Sequence, residues 1–299
     1  MVPAKIPEAP PWAHAMVDPG DGKTWREIAS GFWLRHSEGE KFTLLSVFVE
    51  DAVALDETAF HRTTTQAYQA IQTALKPSQR QPVRLWNFVP GILQPLGSLT
   101  HRYMAFNAGR YDAYRTWLGT GEDFERLIPT ASGVGHSGEG LVIHCLAAST
   151  AGRPIENPRQ TPSYTYSSRY GPKPPCFARA TRLEDTGRRW LLVGGTASVV
   201  GEESTHHDDL EAQLDETLGN LRALVGAAWT TDPASTTGPT SARIYFVRNE
   251  DEAFLRAVAP QKLNTREVEF LQSDLCRPDL LVEIEAFYDL PAQDETAAA

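Results

Sequence analysis

The chain has 299 residues, 41% hydrophobic and 22% charged, enough apolar content to bury a core and too much for a disordered tail. Its 28 Lys and Arg against 38 Asp and Glu give a formal net charge of −10 with no long basic run, which excludes a general nucleic-acid binder and makes an anionic membrane a poor partner. Three cysteines (Cys145, Cys176, Cys276) are too few for a disulfide framework, and no apolar run reaches membrane-spanning or signal-peptide length, so a reduced, cytoplasmic protein is expected.

Residues 1–30 are rich in proline and glycine and predict a surface arm pinned by Trp12 and Trp25. Phe42–Val49 is an apolar, β-branched run and predicts a strand. Thr63–Leu75 predicts a helix, with Thr63 as its cap, Gln66 completing a capping box and Pro77 ending it. Val83–Val89 is a strand stopped by Pro90 and Gly91, and Thr100 caps a second helix that runs to Leu118 before Gly119. Leu141–Ala148 reads as a buried strand.

The second half repeats this order. Asp208 caps a helix with Glu211 at the capping-box position, Leu210, Leu214, Leu218, Leu221 and Val225 form its apolar stripe, and Gly226 closes it. Arg243–Arg248 is the next strand, Glu250–Ala259 a short helix stopped by Pro260, and Leu280–Ala286 the last strand, followed by a frayed tail from Pro291. Arg84–Phe88 and Arg243–Val247 occupy matching slots. Two copies of one α/β unit joined near residues 150–160 account for this order; a single irregular α+β domain is the alternative.

Four places offer chemistry. Glu283 and Glu285 share one face of the last strand, roughly 6.6 Å apart along the backbone. Solvent-facing carboxylates would be ordinary there, but a carboxyl held in an apolar site is a competent general acid. Gly194 and Gly195 inside a strand pattern mark a bulge or a close approach to the backbone, and their spacing fits no phosphate-binding loop. The loop Asn157–Arg179 gathers Tyr164, Tyr166, Tyr170, Arg159, Arg169, Arg179 and Lys173 without an acidic residue, either as an ordered surface loop or as a clamp for a carboxylate ligand. His206-His207-Asp208-Asp209 invites a metal reading, but adjacent histidines do not readily face one ion and Asp208 is wanted as a cap.

Several stretches together resemble a known family. Asp279–Ala286 is similar to the closing strand of RidA/YjgF proteins. Arg84-Leu-Trp-Asn-Phe-Val-Pro90, Gly109-Arg-Tyr111, Asn157-Pro-Arg-Gln160, Tyr164 with Tyr166, Tyr170-Gly-Pro172, Phe177-Ala-Arg-Ala180, Gly195–Gly201 and Cys276–Glu283 resemble, in one order, the chorismatases. The resemblance implies an α/β (α+β) fold of two tandem RidA/YjgF-like, chorismate-mutase-like units: mixed sheets with helices packed on one face. An arm (1–30), a first unit (31–155), a second, catalytic unit (156–290) and a tail (291–299) follow from it.

The resemblance also implies a substrate, chorismate, with no metal and no organic cofactor, and a monomer or small homo-oligomer. Glu283 matches the family's acid, which protonates the enolpyruvyl methylene. Arg159, Tyr164, Tyr166, Tyr170 and Arg179 are the expected carboxylate clamp, and Gly195, Thr196 and Ala197 the expected pocket wall. Cys276, seven residues before Glu283, matches members that form 3-hydroxybenzoate through an arene oxide; members that let water attack carry alanine there. Ala197 departs from this pattern, since the 3-hydroxybenzoate formers tend to have glycine at its position, so hydrolysis to a dihydroxycyclohexadiene carboxylate and some 4-hydroxybenzoate stay open. Glu202 stands where the family often has histidine. A non-catalytic RidA-like binding protein and a RidA-like enamine or imine hydrolase are the rival functions.

Overall fold

The structure is a computed structural model that describes residues 6–17, 24–150, 152–229 and 237–292. The first half runs α1 (Pro11–Met16), β1 (Arg26–Ala29), β2 (Phe32–Glu38), β3 (Phe42–Val49), α2 (Glu57–Leu75), β4 (Gln81–Pro90), α3 (Arg102–Leu118), α4 (Glu122–Leu127), β5 (Thr130–His136) and β6 (Leu141–Ala148). The second runs β7 (Arg153–Ile155), β8 (Ala180–Asp185), β9 (Arg188–Ala197), β10 (Val199–Val200), β11 (Glu203–Ser204), α5 (Leu210–Ala228), β12 (Ser241–Phe246), α6 (Glu252–Leu263), β13 (Val268–Gln272) and β14 (Val282–Pro291).

The two halves share one topology. The first sheet has the order β1-β2-β3-β6-β4-β5 and the second β7-β8-β9-β14-β12-β13. Neighbours are antiparallel except β4–β5 and β12–β13, which are parallel. With Arg84–Phe88 and Arg243–Val247 as matching slots, Arg84 matches Arg243 and Trp86 matches Tyr245. Trp86 lies opposite His144, and Tyr245 opposite Glu283, so on that alignment His144 matches Glu283.

Period-two alternation sorts the side chains into layers. On β6, Leu141, Ile143 and Cys145 face α2 and α3, whereas Val142 and Leu146 face the other sheet. Because both faces are covered, all eight residues of β6 are buried, which explains why its run is apolar but for His144. α5 and α6 cover the outer face of the second sheet, against Val193, Ile244 and Ile284. A third core of Leu44, Phe48, Phe88, Leu192 and Phe287 lies between the sheets, and α1 adds Ala13 to it.

Edge strand β5 joins the sheets at two seams. Ala178 N donates to Pro129 O at 3.0 Å at one end, and Gly135 N donates to Asp274 O at 2.7 Å at the other. Between the seams, Ala131, Ser132 and Gly133 line a cavity.

Several boundaries differ from expectation. α2 begins at Glu57 because Asp56, not Thr63, caps it by accepting from Ala59 N at 2.8 Å. α3 starts after His101, with no side-chain cap. α5 is capped by Asp209, which accepts from Ala212 N at 3.0 Å, and it continues past Gly226. α6 runs through Pro260 and ends at Asn264, whose φ of 55° is left-handed. The region read as an arm contains α1 and β1. Of the expected frayed tail (291–299), Pro291 instead ends β14, paired with Arg188, and the residues from Gln293 onward lie outside the described residues. Among the described residues, no helix is long and apolar enough to cross a membrane.

Candidate active site

The cavity between the two sheets has a volume of about 570 Å³. β14 supplies its buried carboxyl group. Alternation turns Val282 and Ile284 toward α5 and α6, so Glu283 points the other way, into the cavity. Glu283 is only 4% exposed, and its Oε1 has no hydrogen-bond partner. Burial, reinforced by the nearby Glu285 charge, pushes its carboxyl up to about 8, against the opposing pull of Arg84 and Arg179. The group is therefore protonated at neutral pH and can donate. Cys276, half-buried on the segment before β14, lines the same cavity. Burial first, and Glu283 next, push its thiol up to about 12, so it is neutral.

Glu285, two residues on, has a different environment. It accepts from Trp86 Nε1 at 3.0 Å and from Ser132 Oγ, and it pairs with Arg84 Nη2 at 2.9 Å. Arg84 is itself fully buried. A charged pair at this depth is tolerated only when well hydrogen-bonded. The strand thus carries one fixed, compensated carboxylate and one without a partner in the cavity.

The opposite wall is cationic and aromatic. Arg179 Nη2 donates to Tyr166 Oη at 2.7 Å and to Thr161 O at 3.0 Å, while its buried Nε has no partner. Arg277 stacks on the Tyr170 ring at 4.3 Å and donates from Nη1 to Glu202 O at 2.8 Å and to Ser204 Oγ at 3.1 Å. Arg169 donates to Tyr170 Oη at 2.6 Å and pairs with Glu203 at the rim. Tyr103 enters from α3, its ring pressed on Gly133, where an added Cβ would come within 2.9 Å of the ring.

The structure brings Glu283, Cys276, Tyr166, Tyr170, Arg179, Gly195 and Ala197 to this cavity. Three expected residues lie elsewhere. Arg159 pairs with Glu216 of α5 at 2.6 Å. Tyr164 packs edge-on against Phe124, 6.1 Å between centroids. Thr196 alternates to the opposite face of β9 from Gly195 and Ala197, and its hydroxyl donates to Gly194 O at 3.1 Å. Sequence reasoning passed over Arg277, Tyr103 and Ser132. Arg277 carried a signal, since it sits beside Cys276 in a stretch already singled out. Glu202 does not line the cavity; Ser167 N donates to its carboxylate at 2.9 Å, and this bond holds its pKa down. His206 turns to Glu216 and His207 to Asp279, and among the described residues no three His, Cys, Asp or Glu side chains gather where they could hold a metal ion.

The family description "Chorismatase FkbO/Hyg5-like, N-terminal" matches residues 26–147. A 3-hydroxybenzoate synthase of Streptomyces hygroscopicus is 34% identical over 213 residues, covering 68% of this chain and 62% of the relative. A chorismatase of Streptomyces rapamycinicus is 35% identical over the same length, with the same coverage. This chain thus spans about 62% of the length of these curated relatives. The crystal structure of a chorismatase superposes with a TM-score of 0.76 at 27% identity, over 88% of this chain and 78% of that one. The matched residues reach from the first sheet through the cavity walls, and the chain belongs to the chorismatase family.

Proposed function

We propose that this protein converts chorismate to 3-hydroxybenzoate and pyruvate, with the chemistry in the second unit (residues 156–290) and the first unit (31–155) supplying one wall. The observation that carries the reading is a buried carboxyl, Glu283, whose Oε1 has no hydrogen-bond partner and which faces three arginines across one cavity, with burial pushing its pKa up to about 8. Chorismate is a dianion with an enol ether, and it needs this combination. Arg179 and Arg277, with Tyr166 and Tyr170, hold its carboxylates. Glu283 passes its proton to the terminal methylene carbon, which becomes the methyl of pyruvate. The carbon bearing the ether oxygen becomes oxocarbenium-like, and the bond from that oxygen to the ring weakens. Proton transfer of this kind contributes roughly 10²–10⁴-fold; fixed positive charge and positioning supply the rest.

The neighbouring ring hydroxyl then displaces pyruvate and gives an arene oxide, and its proton restores Glu283. The oxide opens to 3-hydroxybenzoate, so the conversion consumes no water. Cys276 stands as a neutral, polarizable thiol beside this step. The shared ancestry with a 3-hydroxybenzoate synthase supports this product. Ala197, which lines the cavity, favours a second outcome, attack by water to give a dihydroxycyclohexadiene carboxylate and pyruvate. Incubation with chorismate, an enzyme-coupled pyruvate assay and chromatography of the aromatic product test the reading. Absence of pyruvate from folded protein overturns it, and the chromatogram decides between the two outcomes.

A further inference from the structure

The shared topology has a consequence on the other side of the sheets. The cavity described above lies where β5 of the first unit meets β9 and β14 of the second. Exchanging the two units puts its counterpart where β13 of the second unit meets β3 and β6 of the first. A second cavity of about 870 Å³ lies there, lined by Leu44 of β3, Phe88 of β4, Tyr245 of β12, and Leu271 and Gln272 of β13. The residue matching Glu283 is His144, and it is not free to act. Its fully buried ring makes a hydrogen bond from Nε2 to Pro7 O at 2.9 Å and another through Nδ1 to Ser46 Oγ at 2.8 Å.

Two arginines face this second cavity, and one acidic residue of the arm occupies both. Arg35, with a side chain 15% exposed, sets its two terminal nitrogens against the two oxygens of Glu8, one of them at 3.1 Å. Arg243, 5% exposed, donates from Nη1 to the Glu8 carbonyl at 3.0 Å while it pairs with Glu269. A planar fork against a carboxylate is the geometry by which arginine recognises carboxylate ligands. Apolar surface from Leu44 and Phe88 adjoins the fork, and the buried Tyr245 hydroxyl has no hydrogen-bond partner. The arm is anchored beside this place by Trp12, stacked on Phe287 with centroids 4.1 Å apart.

We propose that the second cavity is a binding site for a small aromatic carboxylate, and that the Glu8 carboxylate, which lines it, holds the Arg35 fork in the place of that ligand's carboxylate. A tethered carboxylate acts at an effective concentration on the order of millimolar. Free carboxylates below that level do not displace it, and removal of the Glu8 charge exposes the Arg35 fork. The inference rests on the sheet topology and on these contacts, and it stands independently of the reaction in the first cavity.

Equilibrium dialysis with labelled benzoate tests it in the full-length protein. Glu8→Ala is expected to bind one equivalent more than the wild type, at an affinity at least tenfold above any second wild-type site. Glu8→Gln, which keeps the arm's shape, is expected to do the same, and Arg35→Met in the Glu8→Ala background to remove the extra equivalent. Because Arg35 lies 4.9 Å over the Trp25 ring, the added binding should also change tryptophan fluorescence. Equal stoichiometry in the wild type and both folded Glu8 variants overturns the proposal. So does an extra equivalent that survives Arg35→Met.

Discussion

Glu283 Oε1 occupies the space that a Cβ on Gly195 would need. Gly195 lies on β9, two residues before Ala197, the residue paired with Glu283 across the sheet. Only a residue without a side chain lets the carboxyl fold back over the strand and stay in the cavity. Gly195→Ala should therefore push Glu283 out of position while leaving both sheets intact. Turnover is expected to fall by roughly 10²-fold or more, because a misplaced acid forfeits most of its contribution. Circular dichroism and the thermal midpoint should change little. Wild-type turnover by this variant would show that the position of Glu283 is not critical.

Protonation of Glu283 makes three further predictions. With its carboxyl pushed up to about 8, kcat/KM should be flat through neutral pH and fall with a one-proton slope above about pH 8. Glu283→Gln should lose roughly 10²-fold or more in pyruvate release at every pH. Stability should move in the opposite sense. A carboxyl with a folded pKa above its unfolded value costs stability as pH rises from about 4.5 to about 8, since the unfolded chain ionises first. The glutamine variant escapes this loss, so its advantage in urea unfolding should grow across that window to a few kcal/mol. A constant difference between the two proteins would mean that Glu283 is ionised when folded.

Glu285 tests the electrostatics from the neighbouring position. Its charge helps to raise Glu283, and Arg84 opposes it. Glu285→Gln removes the raising charge and leaves Arg84 without its ion pair. Glu283 should then ionise more readily, and the alkaline limb of kcat/KM should move to lower pH. Loss of a buried partner should also cost about 3 kcal/mol in urea unfolding. A limb that stays in place would assign the raised pKa to burial alone.

Much of this arrangement is legible in the amino-acid order. Alternation in β14 puts Glu283 and Glu285 on one face, and the bulge-like glycines mark the strand that adjoins them. What alternation does not contain is which carboxylate is paired, because the partners Trp86 and Ser132 are distant in sequence and arrive only through sheet-to-sheet packing. The same limit applies to Arg159. Its composition-rich loop suggests a ligand, but α5 passes close by and offers Glu216. Helix starts are misjudged where two acceptable caps compete, as with Asp56 and Thr63, since the outcome depends on where the preceding strand releases the chain.

Arg277 joins two loops over the cavity through Tyr170, Glu202 O and Ser204. Removing it should weaken ligand binding and loosen those loops together. Arg277→Met is expected to raise KM for chorismate by about tenfold or more, since a charge-assisted pair is lost. Arg277→Lys should recover part of the affinity, as the charge returns without the planar fork that stacks on Tyr170. If the lysine variant were no better than methionine, the stacking rather than the charge would be the important contribution.

On the proposed route, Cys276 acts on product choice rather than on the first step. Its thiol, pushed up to about 12, is not a thiolate at working pH, so it should react slowly with iodoacetamide near neutral pH and faster only as pH rises well above about 9. Any role in opening an arene oxide must then come from a neutral sulfur close to the ring. Cys276→Ala removes that sulfur and leaves Glu283 and the arginines in place. Pyruvate release should stay within a few-fold of wild type, while the aromatic product shifts from 3-hydroxybenzoate toward the dihydroxycyclohexadiene carboxylate. Both quantities come from one reaction mixture, pyruvate by the coupled assay and the ring products by chromatography. An unchanged ratio at normal turnover would move the decision to the cavity wall, where Ala197→Gly is the matching experiment: if the wall decides, the smaller residue should raise the share of 3-hydroxybenzoate.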